Sequence, residues 1–332
     1  MSNTTDATRD GAFFQWHKNI DNIYHDWSVG QYQGVGNTGT PIFFSVAGTA
    51  VGAGGSKVNE RRQANVYQGA NPPAANQYGA IPRIAPDGAR PAEIYSRAGS
   101  LKGRKDGPRI AIVIGGLGVS AGITQQAMEK LPGAVTFAFT PYGADVERLA
   151  TSALAKEHEV LLQAPMEPFD YPDNDPGPQT LLTSLSTEQN LDRLFWLMSR
   201  LQGYVGITNY MGARFTSTEQ ALAPVLREAA RRGLIYVDDG SSPRSVAGQL
   251  AGANNLPFAK AEITLDSVPT PALIDRALAK LEALAREHGS AVGIASALPV
   301  SIERIAQWAK AVESRGILLV PITAVAIKPK SS

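Results

Sequence analysis

The chain has 332 residues, which is enough for one large domain or two of ordinary size. Its hydrophobic fraction of 43% is typical of a globular protein, and a formal net charge of +1 gives no sign of a nucleic-acid-binding surface. The absence of cysteine excludes disulfides, thiolate metal sites and a cysteine nucleophile, and the only histidines are His17, His25, His158 and His288.

Residues 1–80 differ in composition from the rest and are predicted to form an N-terminal arm. An amphipathic helix is expected over about 12–28, because large apolar side chains recur at helical spacing: Phe13, Trp16, Ile20, Ile23 and Trp27. The opposite face is not basic, so an anionic lipid surface is not the expected target. Two interpretations stay open: this helix packs on its own domain, or it docks the chain to a partner protein.

The last part of the arm, residues 51–80, is rich in Gly, Ala, Asn and Gln and is predicted to be a low-complexity linker. Within it, Val66 to Gln68 is expected to form a short strand only if the edge of another strand is available. No signal peptide is predicted, since no basic region precedes an apolar core. No membrane span is predicted either, because the most apolar early stretch is shorter than the about 20 residues that cross a bilayer.

Residues 81–328 alternate between β-branched apolar runs and amphipathic segments, and this pattern predicts a barrel domain of the α/β class. Strands are expected at 109–115, 134–140, 159–164, 204–209, 234–239, 261–265, 291–296 and 317–323. Helices are expected near 121–131, 144–157, 187–201, 218–232, 243–253, 271–288 and 301–315. The predicted fold is a distorted (β/α)7-8 barrel.

In such a barrel the loops that follow the carboxyl ends of the strands meet on one face, where function is placed. The first strand ends in Gly115 and Gly116, without an acid, base or nucleophile. The polar side chains predicted on this face come from the other strands: Gln163, Glu167, Asn209, Tyr210, Arg214, Asp238, Asp239, Asp266 and Ser296.

Several of these residues have a structural interpretation beside the functional one. Asp238 is either an acid of the site or a turn and helix-capping residue ahead of Gly-Ser-Ser. Arg214 either binds an acidic ligand or pairs with Asp238 or Glu167, and the pairing is favoured. Tyr210 either stacks on a ring of the ligand or packs at the strand end.

Four sequence blocks follow one another in the chain: IAIVIGGLG, EVLLQAPMEPFDYPDNDPGP, GITNYMGARFT and LIYVDDGSS. In this order they resemble the divergent polysaccharide deacetylase family, which belongs to the NodB-type carbohydrate esterases. The resemblance covers about 82–327 and implies a distorted barrel of the NodB type. It also implies carbohydrate as the substrate class and the bacterial envelope or periplasm as the compartment, although no export signal is visible.

The resemblance also shows which metal-site residues this chain lacks. Metal-dependent members have a pair of aspartates at Gly115 and Gly116, a histidine at Gln163, a histidine at Tyr210 and Gly-His at Ser296 and Ala297. A hydrolytic metal site needs carboxylate and imidazole ligands, and none of these residues supplies one. No metal ligand and no cofactor are therefore predicted.

The leading hypothesis is a catalytically inactive, metal-free domain that binds a glycan or acts as an assembly subunit. Its ligand pocket is predicted to be formed by Gln163, Glu167, Asn209, Tyr210, Arg214, Asp238 and Ser296. In this hypothesis the N-terminal arm docks a protein partner.

The alternative is an active carbohydrate hydrolase with a rearranged acidic site, in which Asp238, Asp239 and Glu167 would be catalytic and Asp266 a further acid. A third possibility is an interaction subunit that works through its arm alone.

Overall fold

The computed structural model describes residues 66–67, 78–101 and 107–326. The predicted amphipathic helix at 12–28 lies outside these residues. The docking role of Phe13, Trp16, Ile20, Ile23 and Trp27 therefore stays a prediction. Within the described part of the chain, no helix is long and apolar enough to cross a membrane.

A small antiparallel pair precedes the barrel. Strand β1 (Val66–Tyr67) pairs with β2 (Ile81–Pro82), which confirms the short strand predicted at 66–68 and supplies the edge it required. Ile81 is fully buried in the main core. The carbonyl of Pro82 accepts a 2.8 Å hydrogen bond from Nη1 of the buried Arg232. The β2 segment is thus attached to the barrel by both apolar and polar contacts.

The main sheet consists of parallel strands, as predicted. Its strands are β3 (Arg109–Leu117), β4 (Thr136–Phe139), β5 (Val160–Met166), β6 (Gly206–Met211), β7 (Ile235–Asp238), β8 (Phe258–Lys260), β9 (Ile263–Thr264), β10 (Ser290–Ser296) and β11 (Leu318–Leu319). The hydrogen-bonded order is β8-β7-β6-β5-β4-β3-β10-β9, and β11 pairs with the start of β3.

The sheet curls into a distorted barrel, because the chain segment that contains β8 and β9 pairs with β7 on one side and with β10 on the other. Within the strand expected at 261–265 only β9 forms, and it pairs with β10; β8, which the sequence did not predict, comes just before it and pairs with β7. Between β8 and β9, Ala261 N donates to the carbonyl of Asp238 at 2.8 Å and Glu262 N donates to the carbonyl of Val292 at 2.9 Å. The expected single strand is therefore wrong in detail, since the chain changes partners where the two sheet edges meet.

The strands bury two layers of apolar side chains. Alternate residues of each strand project to opposite faces, so the inner face carries a compact set of small and β-branched side chains. This set includes Ala111, Val113, Ala138, Leu161, Val237 and Val292. The outer face packs against the helices in a larger core that includes Ile110, Ile112, Phe137, Leu162 and Tyr236.

The helices follow the strands in the predicted alternation, with shifted bounds. They are α1 (Pro91–Ile94), α2 (Ala121–Lys130), α3 (Val146–Ala155), α4 (Thr187–Met198), α5 (Ala213–Thr216), α6 (Glu219–Arg231), α7 (Ala247–Ala253), α8 (Pro271–His288) and α9 (Pro299–Val312). The last predicted strand, 317–323, pairs only at Leu318–Leu319 and then turns into a 3-10 helix, Ile322–Ala324.

The amino end of the barrel is closed by a buried carboxyl. Glu159 accepts hydrogen bonds from the backbone of Arg97 at 2.7 Å and of Thr323 at 3.1 Å, and from the Thr323 hydroxyl. Beside it, His158 stacks on Phe137 with ring centroids 3.8 Å apart. These contacts tie the segments before and after the barrel to one end and leave the carboxyl end for function.

Candidate functional site at the carboxyl end of the barrel

Gln163 of β5 takes the space of a missing side chain on β3. A Cβ built on Gly115 would lie 2.7 Å from Gln163 Nε2. The other end of the same amide, Oε1, accepts a 2.6 Å hydrogen bond from the backbone N–H of Gly116. This bond fixes the orientation of the amide, so Nε2 is the end that lies over Gly115.

Ser296 and Tyr210 share the inner face with Gln163. Ser296 is paired in register with Gly115, and Tyr210 is paired with Pro165, two positions beyond Gln163 on the same strand. Residues opposite one another, or two apart on a strand, project to the same face of a sheet. Both Ser296 and Tyr210 are half-buried. The structure therefore brings Gln163, Tyr210 and Ser296 together at the barrel mouth.

Asp266 joins the ends of β9, β10 and α9. Its Oδ2 accepts from the backbone N–H of Ser296 at 2.8 Å and from the Ser301 hydroxyl at 2.7 Å. Burial raises the pKa of this carboxyl, and the hydrogen bonds from Ser301 and Ser296 oppose that effect. Oδ1 is buried without a hydrogen-bond partner among the described residues. Asp266 thus fixes the loop that carries Ser296.

Glu167 and Arg214 hold two loops together. Glu167 Oε1 lies 3.2 Å from Arg214 Nη1, which confirms the favoured pairing. Glu167 Oε2 accepts from both the N–H and the hydroxyl of Thr183, at 2.5 and 2.7 Å. Arg214 Nη2 also donates to the carbonyl of Phe169 at 2.7 Å. Both Glu167 oxygens are therefore engaged by groups within the protein.

Asn209 and Asp238 lie on the outer face of the sheet. Ile207 and Tyr236 are paired in register and both pack in the outer core. Asn209 and Asp238 each come two residues later in the same strands, so their side chains project to the same outer face. Asn209 Oδ1 accepts from the backbone N–H of Asp239 at 3.0 Å. The structure therefore does not group these two side chains with Gln163, and a ligand contact by either stays a prediction.

The two adjacent aspartates differ in their surroundings. Asp238 Oδ1 accepts from Gly240 N at 2.9 Å, the turn contact expected of an Asp before Gly-Ser-Ser, while Oδ2 is buried and unpartnered among the described residues. Burial raises the pKa of Asp239 to about 6, although hydrogen bonds from Ser241 and Asn209 oppose the shift. Among the predicted acids, Asp239 has a pKa in the range useful for proton transfer.

The backbone between β6 and α5 is strained at this face. Met211 has a φ of +56°, and Gly212 follows with a φ of +86°. The carbonyl of Met211 accepts from Asn209 Nδ2 at 2.7 Å, and a Cβ on Gly212 would lie 2.6 Å from the Cβ of Met166. Left-handed backbone at a non-glycine residue is uncommon and is found often at ligand sites.

The metal implied by the resemblance does not fit these residues. Gly115 has no side chain, and the oxygen of Gln163 is already hydrogen-bonded to Gly116. In the described ranges, no three His, Cys, Asp or Glu side chains are grouped closely enough to hold a metal ion. His158 precedes β5 at the amino end, and His288 ends α8, so neither reaches the mouth.

These observations define a parallel α/β barrel whose polar groups collect at the carboxyl ends of its strands. The sequence model described as divergent polysaccharide deacetylase matches residues 112–326, and the chain belongs to this family.

A solved structure and two curated proteins are similar to the chain. The crystal structure of an uncharacterized protein from Agrobacterium tumefaciens C58 matches with a TM-score of 0.72 and 41% identity, over 74% of this chain and 99% of that one. The uncharacterized protein YibQ of Escherichia coli K12 is 25% identical over 200 residues, 60% of this chain and 61% of YibQ. An uncharacterized protein of Haemophilus influenzae is 24% identical over 194 residues, 58% of this chain and 68% of that protein. The match therefore spans less than two thirds of YibQ.

Sequence reasoning missed two structural partners of the site. Thr183, which binds Glu167, and Ser301, which binds Asp266, lie 16 and 35 residues from those carboxyls along the chain. A signal for the Gly115–Gln163 contact was present, because both positions depart from the family pattern together. Their spatial contact required the barrel.

Proposed function

We propose that the chain is a glycan-binding module whose deacetylase-type barrel does not carry out metal-dependent deacetylation. The observation that carries this proposal is the complementary pair Gly115 and Gln163. The amide nitrogen of Gln163 stands 2.7 Å from the place of a Gly115 Cβ, where an aspartate would need room. The Gln163 side chain fits the space that Gly115 leaves, and this pair of residues offers no carboxylate or imidazole ligand to a metal ion.

The carboxyl-end face has groups suited to a sugar. Phe169 is 52% exposed in the loop after β5, and the Arg214 guanidinium lies 6.0 Å from the centroid of its ring. An exposed aromatic ring can stack on the apolar face of a sugar ring. The half-buried Tyr210 and Ser296 add polar groups beside Gln163.

The test combines metal content, acetate release and glycan binding on the full chain. The protein is purified without chelator or nickel, its metal content is measured by mass spectrometry, and acetate release from acetylated oligosaccharides is followed with and without added zinc. We expect far less than one ion per chain, no acetate release, and binding to some members of a glycan array. About one zinc ion per chain together with acetate release would overturn the proposal.

A second candidate is a carbohydrate hydrolase that uses the acids of this face. The raised pKa of Asp239, about 6, favours it, since a general acid or base works best near the ambient pH. Glu167 and Asp266 are less suited, because their contacts with Thr183, Arg214, Ser296 and Ser301 hold loops. Hydrolysis that persists in chelator and is lost in Asp239→Asn would support this candidate over the binding module.

The compartment and the assembly role are proposed from the sequence. An envelope or periplasmic location is proposed from the family resemblance alone. Docking of a partner by the N-terminal arm is proposed from the apolar face at 12–28, and loss of partner association on deleting residues 1–80 would test it.

A further inference from the structure

We infer that Gln163 forms a hydrogen-bond-donor subsite at the barrel mouth, which selects an oxygen acceptor of a sugar over an ammonium group. The inference rests on the proposed glycan-binding function and assigns the chemistry of the contact. Its basis is a buried side chain with one end fixed by the backbone and the other end without an acceptor among the described residues.

The amide of Gln163 is held in one orientation. The side chain is only 4% exposed, and Oε1 accepts the 2.6 Å bond from Gly116 N. A flip would bring the amide nitrogen against that backbone donor, leaving two donors face to face. Nε2 therefore points over Gly115.

Nε2 has no acceptor among the residues that the structure describes. It is also not one of the buried unpartnered atoms of those residues, so it keeps contact with solvent at the mouth. A primary amide carries two N–H donors, so a ligand oxygen that reaches the mouth can accept from Nε2 in place of water.

The donor chemistry of Nε2 favours an oxygen acceptor. Ser296, the register partner of Gly115, is half-buried on the same inner face and adds a hydroxyl to this side of the barrel. An ammonium group is disfavoured at Nε2 itself, because both groups are donors.

The ligand oxygen could be a ring hydroxyl or an acyl carbonyl, and matched β-1,4-linked tetrasaccharides separate these sources. Cellotetraose has a hydroxyl at carbon 2, the N-acetylglucosamine tetramer has an acylamino group, and the glucosamine tetramer has an ammonium. Binding to the full chain is measured by calorimetry at pH 6.0, where the glucosamine tetramer is charged. We expect at least one neutral tetramer to bind 10-fold or more tightly than the glucosamine tetramer.

Gln163→Glu tests the assigned atom. The variant keeps an acceptor for Gly116 N and replaces the Nε2 donor by an oxygen, so the neutral tetramer should bind at least 10-fold more weakly and the glucosamine tetramer more tightly. Gln249→Glu, on the exposed side of α7, makes the same charge change away from the barrel interior and should leave the ranking unaltered.

The outcomes separate the two proposals. The glycan array tests the binding module, and the tetramers test the subsite. If the array shows binding but the wild-type chain prefers the glucosamine tetramer, shows no preference among the tetramers or binds none of them, the subsite is overturned. The binding module then stands. If Gln163→Glu folds and keeps the wild-type ranking, the subsite is again overturned. If the array and all three tetramers show no binding, both proposals fall. The wild-type comparison holds even if Gln163→Glu fails to fold.

Discussion

Gly115 on β3 and Gln163 on β5 form an interlocking pair across the barrel, since the amide nitrogen of Gln163 lies 2.7 Å from the place of a Gly115 Cβ. Gly115→Ala should therefore push Gln163 from its position and weaken its bond with Gly116. We expect a loss of about 1–2 kcal/mol in the free energy of unfolding, the usual cost of adding a methyl group to a packed site.

The pair is tested by a double-mutant cycle in denaturant. In a Gln163→Ala background, Gly115→Ala should cost little, because the obstructing amide is gone. Gly252→Ala is the matched control: this glycine is in α7 with no atom within 4 Å of a built Cβ. The control should stabilise the protein by about 0.5–1 kcal/mol. Additive effects of the two barrel substitutions would contradict the interlocking pair.

Glu167 should be a strong determinant of stability, because its carboxylate is buried and serves two loops. Glu167→Ala would remove the acceptor of the Thr183 N–H and one of the two acceptors described for the guanidinium of Arg214. The expected loss is about 2–4 kcal/mol, as for other buried charged groups that lose a partner.

Hydrogen exchange provides the readout specific to the loops. Amides near Thr183 and in the loop around Phe169 should exchange faster in Glu167→Ala. Glu129→Ala, at an exposed position on α2, should change stability by no more than about 0.5 kcal/mol. Unchanged exchange near Thr183 would show that Glu167 does not hold this loop.

His158 should make the protein less stable in acid. Burial lowers its pKa from 6.5 to about 4, although its hydrogen bond with the carbonyl of Val135 opposes the shift. The unfolded chain therefore binds a proton between about pH 6.5 and 4 that the folded chain does not, and stability falls as pH falls through this window. The contribution amounts to about 3 kcal/mol at the acid end.

The comparison with His158→Phe isolates this effect. Phenylalanine retains an aromatic ring against Phe137 and does not titrate. The buried carboxyls, including Glu159, remain in both proteins, so their contributions largely cancel in the difference. We expect the free energy of unfolding of the wild type to fall relative to the variant between pH 6.5 and 4. Parallel pH profiles would contradict a neutral buried His158.

The titration of Asp239 should depend on the hydroxyl of Ser241. Burial raises the pKa of Asp239 to about 6, and the hydrogen bonds of Ser241 lower it from what burial alone would give. Ser241→Ala should therefore move the midpoint above the wild-type value, as followed by the carboxyl carbon in NMR. Ser217→Ala, whose hydroxyl donates to the carbonyls of Ala213 and Arg214, should not. A wild-type midpoint near 4 would remove the argument for Asp239 as a general acid.

Much of the architecture followed from local patterns in the sequence. Apolar runs of β-branched residues such as 109–115 mark buried parallel strands, because such strands are covered on both faces. Ser186 begins α4 with a capping box completed by Gln189, which is a local hydrogen-bonding arrangement. The family resemblance likewise depended on short blocks of contiguous residues. These features concern neighbours in the chain, and a sequence displays such neighbours directly.

Tertiary structure alone decided which side chains meet. The sequence placed Gln163, Asn209 and Asp238 at strand ends, but the register of the barrel sends Gln163 to the interior and the other two to the outer face. A shift of one residue reverses the face of every side chain in a strand, and strand bounds read from composition are not that precise. The partner change at Ala261 and Glu262 likewise depends on where two sheet edges meet. Such contacts join residues far apart in the chain, so they are determined only when the barrel closes.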